Sequence, residues 1–230
     1  MIFVTGDTHR MKDVEKLDKE NFPEQNLLTK SDYLIIAGDF GGIWTGDLKD
    51  EEVLDYHSGK NYTTLFVAGN HENHDLLESC PVEMWNGGKV HKIREDIIHL
   101  MNGQVYNIEG RKIFTMGGAT SVDKMFRKEG VSWWAKEEPS REEMIEATEN
   151  LVACGNEVDY IISHTCPEIV RKNAFEIYND FIEYTSPVEQ YLDIILENVS
   201  YKKWFTGHIH IDREFADYNL RVIFNGIVKI

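Results

Sequence analysis

What this 230-residue chain lacks narrows its class before any motif is read. No apolar run approaches the roughly 20 residues needed to cross a bilayer, so a membrane partner is not expected. No basic start, apolar stretch and cleavage site open it in the manner of a secretory leader. Ile2-Phe3-Val4 reads instead as a buried strand. A cleaved leader would also remove the first chemistry-bearing residue, Asp7, so a cytoplasmic location is expected. Cys80, Cys154 and Cys166 are odd in number, far apart and free of any CxxC pair. That is neither a disulfide framework nor a thiolate zinc site, and the three read as reduced, mostly packed thiols. Blocks of Lys and Arg are missing too: 24 basic against 40 acidic residues leave a formal charge of -16. Such a surface repels polyanions and lacks the patches whose counterion release drives duplex binding. Extensive contact with duplex nucleic acid is therefore not expected. A small phosphorylated substrate is compatible, because bound divalent cations would reverse the sign locally. No linker or low-complexity tract divides the chain, so residues 1–230 read as a single domain.

What is present is an ordinary globular composition, 42% hydrophobic and 11% aromatic. The first third repeats one phrase: a short β-branched run, a sharp polar turn, a helical stretch. Ile2 to Val4 leads to Gly6-Asp7-Thr8-His9, Tyr33 to Ala37 to Gly38-Asp39, and Thr64 to Ala68 to Gly69-Asn70-His71-Glu72. A recurrence of about 30 residues is the length of a βαβ unit. Apolar runs without polar alternation suggest strands of a largely parallel sheet buried on both faces. Leu48 to His57 and His74 to Cys80 read as intervening helices. From Val90 to Met116 the pattern shifts to four short strands, at 90–93, 97–100, 105–108 and 112–116. Asn102-Gly103 and Glu109-Gly110 are hairpin-type turns, so an antiparallel meander is predicted.

Gly117-Gly118 opens a segment, to about residue 140, whose charges and aromatics follow no period; it reads as a lid or insertion. Ser140 and Glu143 form a capping box for a helix to about Ala153. Asp159 to His164 is a further buried strand, and Ser186-Pro187 with Glu189 starts a helix to about Asn198. Lys203 to Thr206 leads to Gly207-His208-Ile209-His210. Strands at 213–216 and 221–224 carry the chain to Val228.

Five strand ends thus finish in polar residues. In open α/β sheets, sites gather outside the carboxyl ends of strands. The glycines at 6, 38, 69 and 207 would allow sharp turns there. Each piece alone has an ordinary explanation. Gly-Asp is a common turn, Asn70-His71 could cap the following helix, and a strand-terminal His164 could be merely hydrogen-bonded. His208 and His210 share a face by period-2 alternation, which suits a surface strand as well as a site. As a set, carboxylate, imidazole and amide oxygen without thiolate suit Mn, Fe, Ni or Zn.

The ordered series Gly-Asp-x-His, Gly-Asp, Gly-Asn-His-Glu, an isolated His and Gly-His-x-His, from Asp7 to His210, resembles the calcineurin-like metallophosphoesterase superfamily. The resemblance implies an α/β fold of two mixed β-sheets packed as a sandwich and flanked by helices, four layers in all. It implies two divalent ions, manganese first, with Fe, Ni or Zn as alternatives. One would be held by Asp7, His9, Asp39 and His210, the other by Asp39, Asn70, His164 and His208. Asp39 would bridge them, and His71 would stand near the scissile phosphate. Two such ions carry about +4 and the aspartates return about −2, so a phosphate is attracted despite the acidic surface. Ions roughly 3.5–4 Å apart can share a hydroxide and clamp phosphoryl oxygens during in-line attack. Asp39 and His71 are the expected catalytic residues, with a protonated His71 stabilising the transition state or the leaving oxygen.

Departures from the superfamily pattern also inform. Gly38-Asp39-Phe40-Gly41-Gly42-Ile43 lacks the Asp-Arg pair of protein phosphatases, which argues against that activity. Arg10 stands where many members carry glycine. The 117–134 stretch resembles small bacterial and phage members. His57, His74, His91 and His99 read as surface or packed histidines, with His74 the nearest exception. Arg127, Trp133 and Trp134 invite a lid stacking on a base, although tryptophan pairs more often anchor cores and loops. Hydrolysis of small phosphate mono- or diesters is the leading expectation. A nuclease for short or single strands, or a catalytically silent metal-bearing interaction module, are the alternatives.

Overall fold

The computed structural model describes residues 1–178 and 183–230. In chain order its elements are β1 (Ile2–Thr5), β2 (Tyr33–Ile36), α1 (Leu48–Ser58), β3 (Thr63–Phe66), α2 (His74–Glu78), β4 (Val82–Trp85), β5 (Gly88–Arg94), β6 (Ile97–Leu100), β7 (Val105–Ile108) and β8 (Arg111–Met116). There follow α3 (Arg141–Ala153), β9 (Tyr160–Ser163), α4 (Glu168–Tyr178), α5 (Pro187–Asn198), β10 (Lys203–Thr206), β11 (Arg213–Phe215), β12 (Leu220–Val222) and β13 (Ile227–Lys229). Two mixed sheets result. A seven-stranded one has the order β13-β1-β2-β3-β6-β5-β4, and a six-stranded one the order β11-β12-β10-β9-β8-β7.

Side-chain alternation makes these sheets a sandwich. Ile2, Val4, Ile35, Ala37, Leu65 and Val67 meet Tyr106, Ile108, Ile113, Ile162 and Phe205 of the opposite sheet in one core. Their strand neighbours point the other way. Ile36, Phe66 and Ala68 pack with Val53, Leu54 and Leu77 of α1 and α2. Phe114, Ile161 and Trp204 pack outward on α3, α4 and α5. The four layers implied by the superfamily resemblance are therefore present. β1, β2 and β3 are parallel neighbours in a nearly fully buried block, which is why their sequences run apolar without polar relief.

The helix caps are local and strong. Asp47 caps α1, accepting from Lys49 N, and the Ser140–Glu143 capping box opens α3 with both bonds formed. One expectation needs correcting. Asn102-Gly103 is no hairpin: β6 and β7 lie in different sheets, so the predicted meander is split between them. The reason is tertiary. Asn102 Oδ1 accepts from Gly117 N at 2.8 Å and its Nδ2 donates to Glu143 at 2.8 Å, turning the chain across the sandwich. Helix α4, which buries Val170, Arg171 and Ala174 on one face, and the short, largely exposed edge strand β4 were not anticipated. β13 returns to pair antiparallel with β1, a long-range closure that no local pattern announces. Among the described residues no helix is long and apolar enough to cross a membrane.

Candidate metal centre

Asp7 and His9 follow β1, Asp39 follows β2, and Asn70 and His71 follow β3. His164 follows β9, and His208 and His210 follow β10. Each set leaves the carboxyl ends of parallel neighbours, and the two sheets deliver them to one place. The glycines before them act differently from the sharp turns expected. Only Gly38 has a left-handed φ, +96°; at the other three the need is room. A Cβ on Gly69 would lie 2.0 Å from Asp39 Oδ1, and one on Gly207 2.1 Å from Asp7 Oδ1. The left-handed conformation falls instead on His9 (φ +43°), Asp39 (+49°), His208 (+64°) and His210 (+56°). Such conformations cost on the order of 1–3 kcal/mol each and persist where surrounding structure dictates them. Arg10 is also left-handed (+64°), which explains why glycine would suit that position. Its guanidinium is tied to Asp50 at 2.8 Å.

Asn70 does not cap the following helix; Asn73 does, accepting from Leu76 N at 3.1 Å. Asn70 is thereby left to the site. Ligand atoms of Asp7, His9, Asp39 and His210 all lie within 4.8 Å of one another. His9 Nε2 stands 3.1 Å from Asp39 Oδ2, and His210 Nε2 3.0 Å from Asp7 Oδ2. The other oxygen of Asp39 faces a second group. His164 Nε2 is 3.3 Å from Asp39 Oδ1 and 3.1 Å from Asn70 Oδ1, while the His208 ring lies 4.9 Å from that of His164. Asp39 Oδ1 also accepts from His71 N at 2.8 Å, and Asp7 accepts from His208 N at 3.1 Å.

The ring orientations test whether cations fit here. His164 Nδ1 donates to the Ala37 carbonyl at 2.9 Å, and His9 Nδ1 to Asp13 Oδ2 at 2.7 Å. Where a ring is neutral, Nε2 carries a lone pair aimed at carboxylate and amide oxygens that also offer only lone pairs. At His9 a ring proton relieves that repulsion, because burial is outweighed there by Asp39 and Asp13, which favour the charged form. A cation between them turns mutual repulsion into coordination, and the distal partners match the usual support of metal-binding histidines. Two carboxylates, an amide oxygen and four imidazoles suit Mn, Fe, Ni or Zn. The residues fit divalent ions.

Burial alone would raise both aspartates. Instead His164, His9 and His71 hold Asp39 well below the usual carboxylate range, and His210 and His164 lower Asp7. Burial, then His164, pushes His208 down to about 3, which keeps it a neutral donor. Burial also lowers His71; Asp39 opposes this and Arg127 adds to it. Glu72, completing the Gly-Asn-His-Glu run, is fully buried and accepts from Gly41 N at 3.1 Å, anchoring the loop after Asp39.

Beside the cluster is a pocket of about 160 Å³ lined by His71, Ser121, Asp123 and Arg127 among others. Trp134 is not part of it. This ring is buried edge-on against Trp44, with Nε1 donating to Asp75 at 3.0 Å, so it anchors the segment instead of stacking on a base. The four remaining histidines are packed. His74 lies 3.1 Å from the Gly69 carbonyl, His91 and His99 face each other across β5 and β6, and His57 packs on Phe40. Two residues at the site escaped sequence reasoning. Ser121 bonds to Asn70, and Glu137 bonds to Ser121. They lie 16 residues apart in the aperiodic segment, where no local signal pairs them.

Residues 1–212 match the calcineurin-like phosphoesterase family. The chain belongs to that family. Calcineurin-like phosphoesterases are phosphoester hydrolases, and membership implies divalent metal ions. A lariat debranching enzyme from Entamoeba histolytica is 26% identical over 177 residues, 68% of this chain and 46% of that protein. The chain thus spans about half the length of that relative. Among solved structures, phosphopantetheinyl hydrolase from Mycobacterium tuberculosis overlays with a TM-score of 0.45 at 16% identity, covering 97% of this chain and 87% of the other. A protein of unknown function from Aquifex aeolicus gives 0.37 at 16%, covering 98% and 89%. Neither overlay is close enough to carry an activity to this calcineurin-like phosphoesterase.

Proposed function

We propose that this chain hydrolyses small phosphate esters at a dinuclear centre. One ion is held by Asp7, His9, Asp39 and His210, and the other by Asp39, Asn70, His164 and His208. The observation that carries this is Asp39 itself, whose two oxygens face two different imidazole groups, 3.1 Å from His9 and 3.3 Å from His164. Manganese is the favoured metal for a set rich in oxygen and imidazole. When bound, the ions supply Lewis acidity to phosphoryl oxygens and a water activated near neutral pH. His71, at the pocket wall, offers a neutral N–H to a phosphoryl or leaving oxygen; the protonated form first expected is disfavoured by its burial. Arg127 lines the same pocket with its guanidinium paired to Asp123 at 2.7 Å. The pocket's small volume and the charge of -16 favour a small substrate over extended duplex. A second reading, a nuclease for short or single strands, is favoured by the relative named for lariat debranching.

The test is Mn²⁺-loaded protein assayed on bis-p-nitrophenyl phosphate, p-nitrophenyl phosphate, cyclic nucleotides and single-stranded DNA. Turnover abolished by Asn70→Ala and His208→Ala is expected. Two bound ions with no turnover on any ester would defeat the proposal, and preference for single-stranded DNA would select the nuclease reading.

A further inference from the structure

Asn70 presents a problem of orientation. An amide has one face that can ligate and one that cannot, and the two are nearly equal in shape. We propose that Ser121 and Glu137 are positioning residues that fix the Asn70 amide with its oxygen toward the second ion. This rests on the assignment of Asn70 as a ligand made above. The three side chains are buried in series, 4%, 2% and 1% exposed. Asn70 Nδ2 donates to Ser121 Oγ at 3.1 Å, and Ser121 Oγ donates to Glu137 Oε2 at 2.7 Å. Ser121 N donates to Glu137 Oε1 at 2.7 Å.

Burial pushes the Glu137 carboxyl up and its two bonds from Ser121 oppose this; while it is ionised, the direction of this series is set. A hydroxyl has one proton, and a carboxylate acceptor claims it in a charge-assisted bond. Ser121 Oγ then shows Asn70 only lone pairs, which accept from the NH₂ and would repel the oxygen. The amide oxygen must therefore face His164 Nε2, where it stands at 3.1 Å. Both positioning residues belong to the segment that reads from sequence as a lid. Glu138 ties that segment further to the start of α5 through Val188 N at 3.2 Å. The stretch around Ser121 and Glu137 is thus a wall of the metal centre, and opening it would release Asn70.

Glu137→Gln should reverse the series. Ser121 N–H holds the glutamine oxygen, so its NH₂ meets Oγ; the hydroxyl proton turns to Asn70 and draws the amide oxygen away from the ion. Metal-free protein titrated with Mn²⁺ by calorimetry, with bound ions counted by electron paramagnetic resonance, reads this without any activity assay. Two ions are expected in the native protein. Glu137→Gln should weaken one of them about 10- to 100-fold and spare the other. Ser121→Ala, which removes the acceptor without reversing it, should weaken the same ion less. In an Asn70→Asp background, where either carboxylate oxygen can ligate, Glu137→Gln should cost nothing. Equal weakening in both backgrounds, full affinity in both single variants, or loss of both ions together would each overturn the positioning role. If Asn70→Ala kept both ions at native affinity, the ligand assignment itself would fail and this inference with it. That outcome is distinct from failure of the series, in which Asn70→Ala still loses an ion.

Discussion

At the scale of single residues, two histidines separate function from fold. His71 touches the site through its backbone and faces the pocket with its ring. His71→Ala should leave metal content unchanged yet lower kcat on esters with poor leaving groups by about 100-fold. Esters with activated leaving groups should be affected less, so a plot of rate against leaving-group pKa should steepen; an unchanged slope would remove His71 from the chemistry. His57 lies far from that role, fully buried against Phe40 with Nε2 lacking a partner among the described residues. Burial, aided by Lys60, lowers it from 6.5 to about 3. Between those values the unfolded chain binds the proton and the folded one does not, so stability rises with pH. His57 thus contributes stability above about pH 6.5 that is lost progressively as pH falls toward about 3. His57→Phe should flatten that slope in urea titrations across the window, and parallel curves would show that other groups set it.

At the scale of elements, α4 and α5 are joined by a buried ion pair. Arg171 Nε meets Glu189 Oε2 at 2.6 Å with both side chains fully buried, and Thr165 and Tyr184 donate to the same carboxylate at 2.9 Å. Removing one partner leaves a charge in a poorly hydrated place. Arg171→Met should cost about 3–5 kcal/mol, and adding Glu189→Leu should recover much of it. Denaturant midpoints of the single and double variants decide the point; an additive double variant would show the pair to be uncoupled. This contact escaped sequence reading because a buried charge pair formed 18 residues apart leaves no local pattern. The capped helices α3 and α5 were legible from Ser140 and Ser186, whose side chains meet backbone donors only three residues away.

At the scale of the whole molecule, the proposed centre would couple metal binding to folding. Two buried carboxylates, Asp7 and Asp39, stand close together there, and cations bound between them would offset their mutual repulsion. Ions that bind only the folded chain stabilise it by about 2.7 kcal/mol when present at 100 times their Kd. Chelation should therefore lower the melting temperature by roughly 5–10 °C for a chain of this length. Asp39→Asn should abolish most of the metal-dependent shift; an unchanged melting temperature on chelation would mean the site does not bind metal tightly.

The sequence by itself determined the strand–turn phrases, the capped helices and the identity of the residues that meet at the centre. These follow from short-range rules: apolar runs make buried strands, caps satisfy nearby N–H groups, and motif order survives whatever folding does. Tertiary structure alone decided the rest. It sent β6 and β7 to different sheets, because Asn102 bonds to Gly117 and Glu143 far along the chain. It returned β13 to β1, turned Trp134 inward, and set Glu137 and Ser121 behind Asn70. Each is a contact between distant segments, and side-chain spacing along a chain carries no record of which distant partner will satisfy a buried donor.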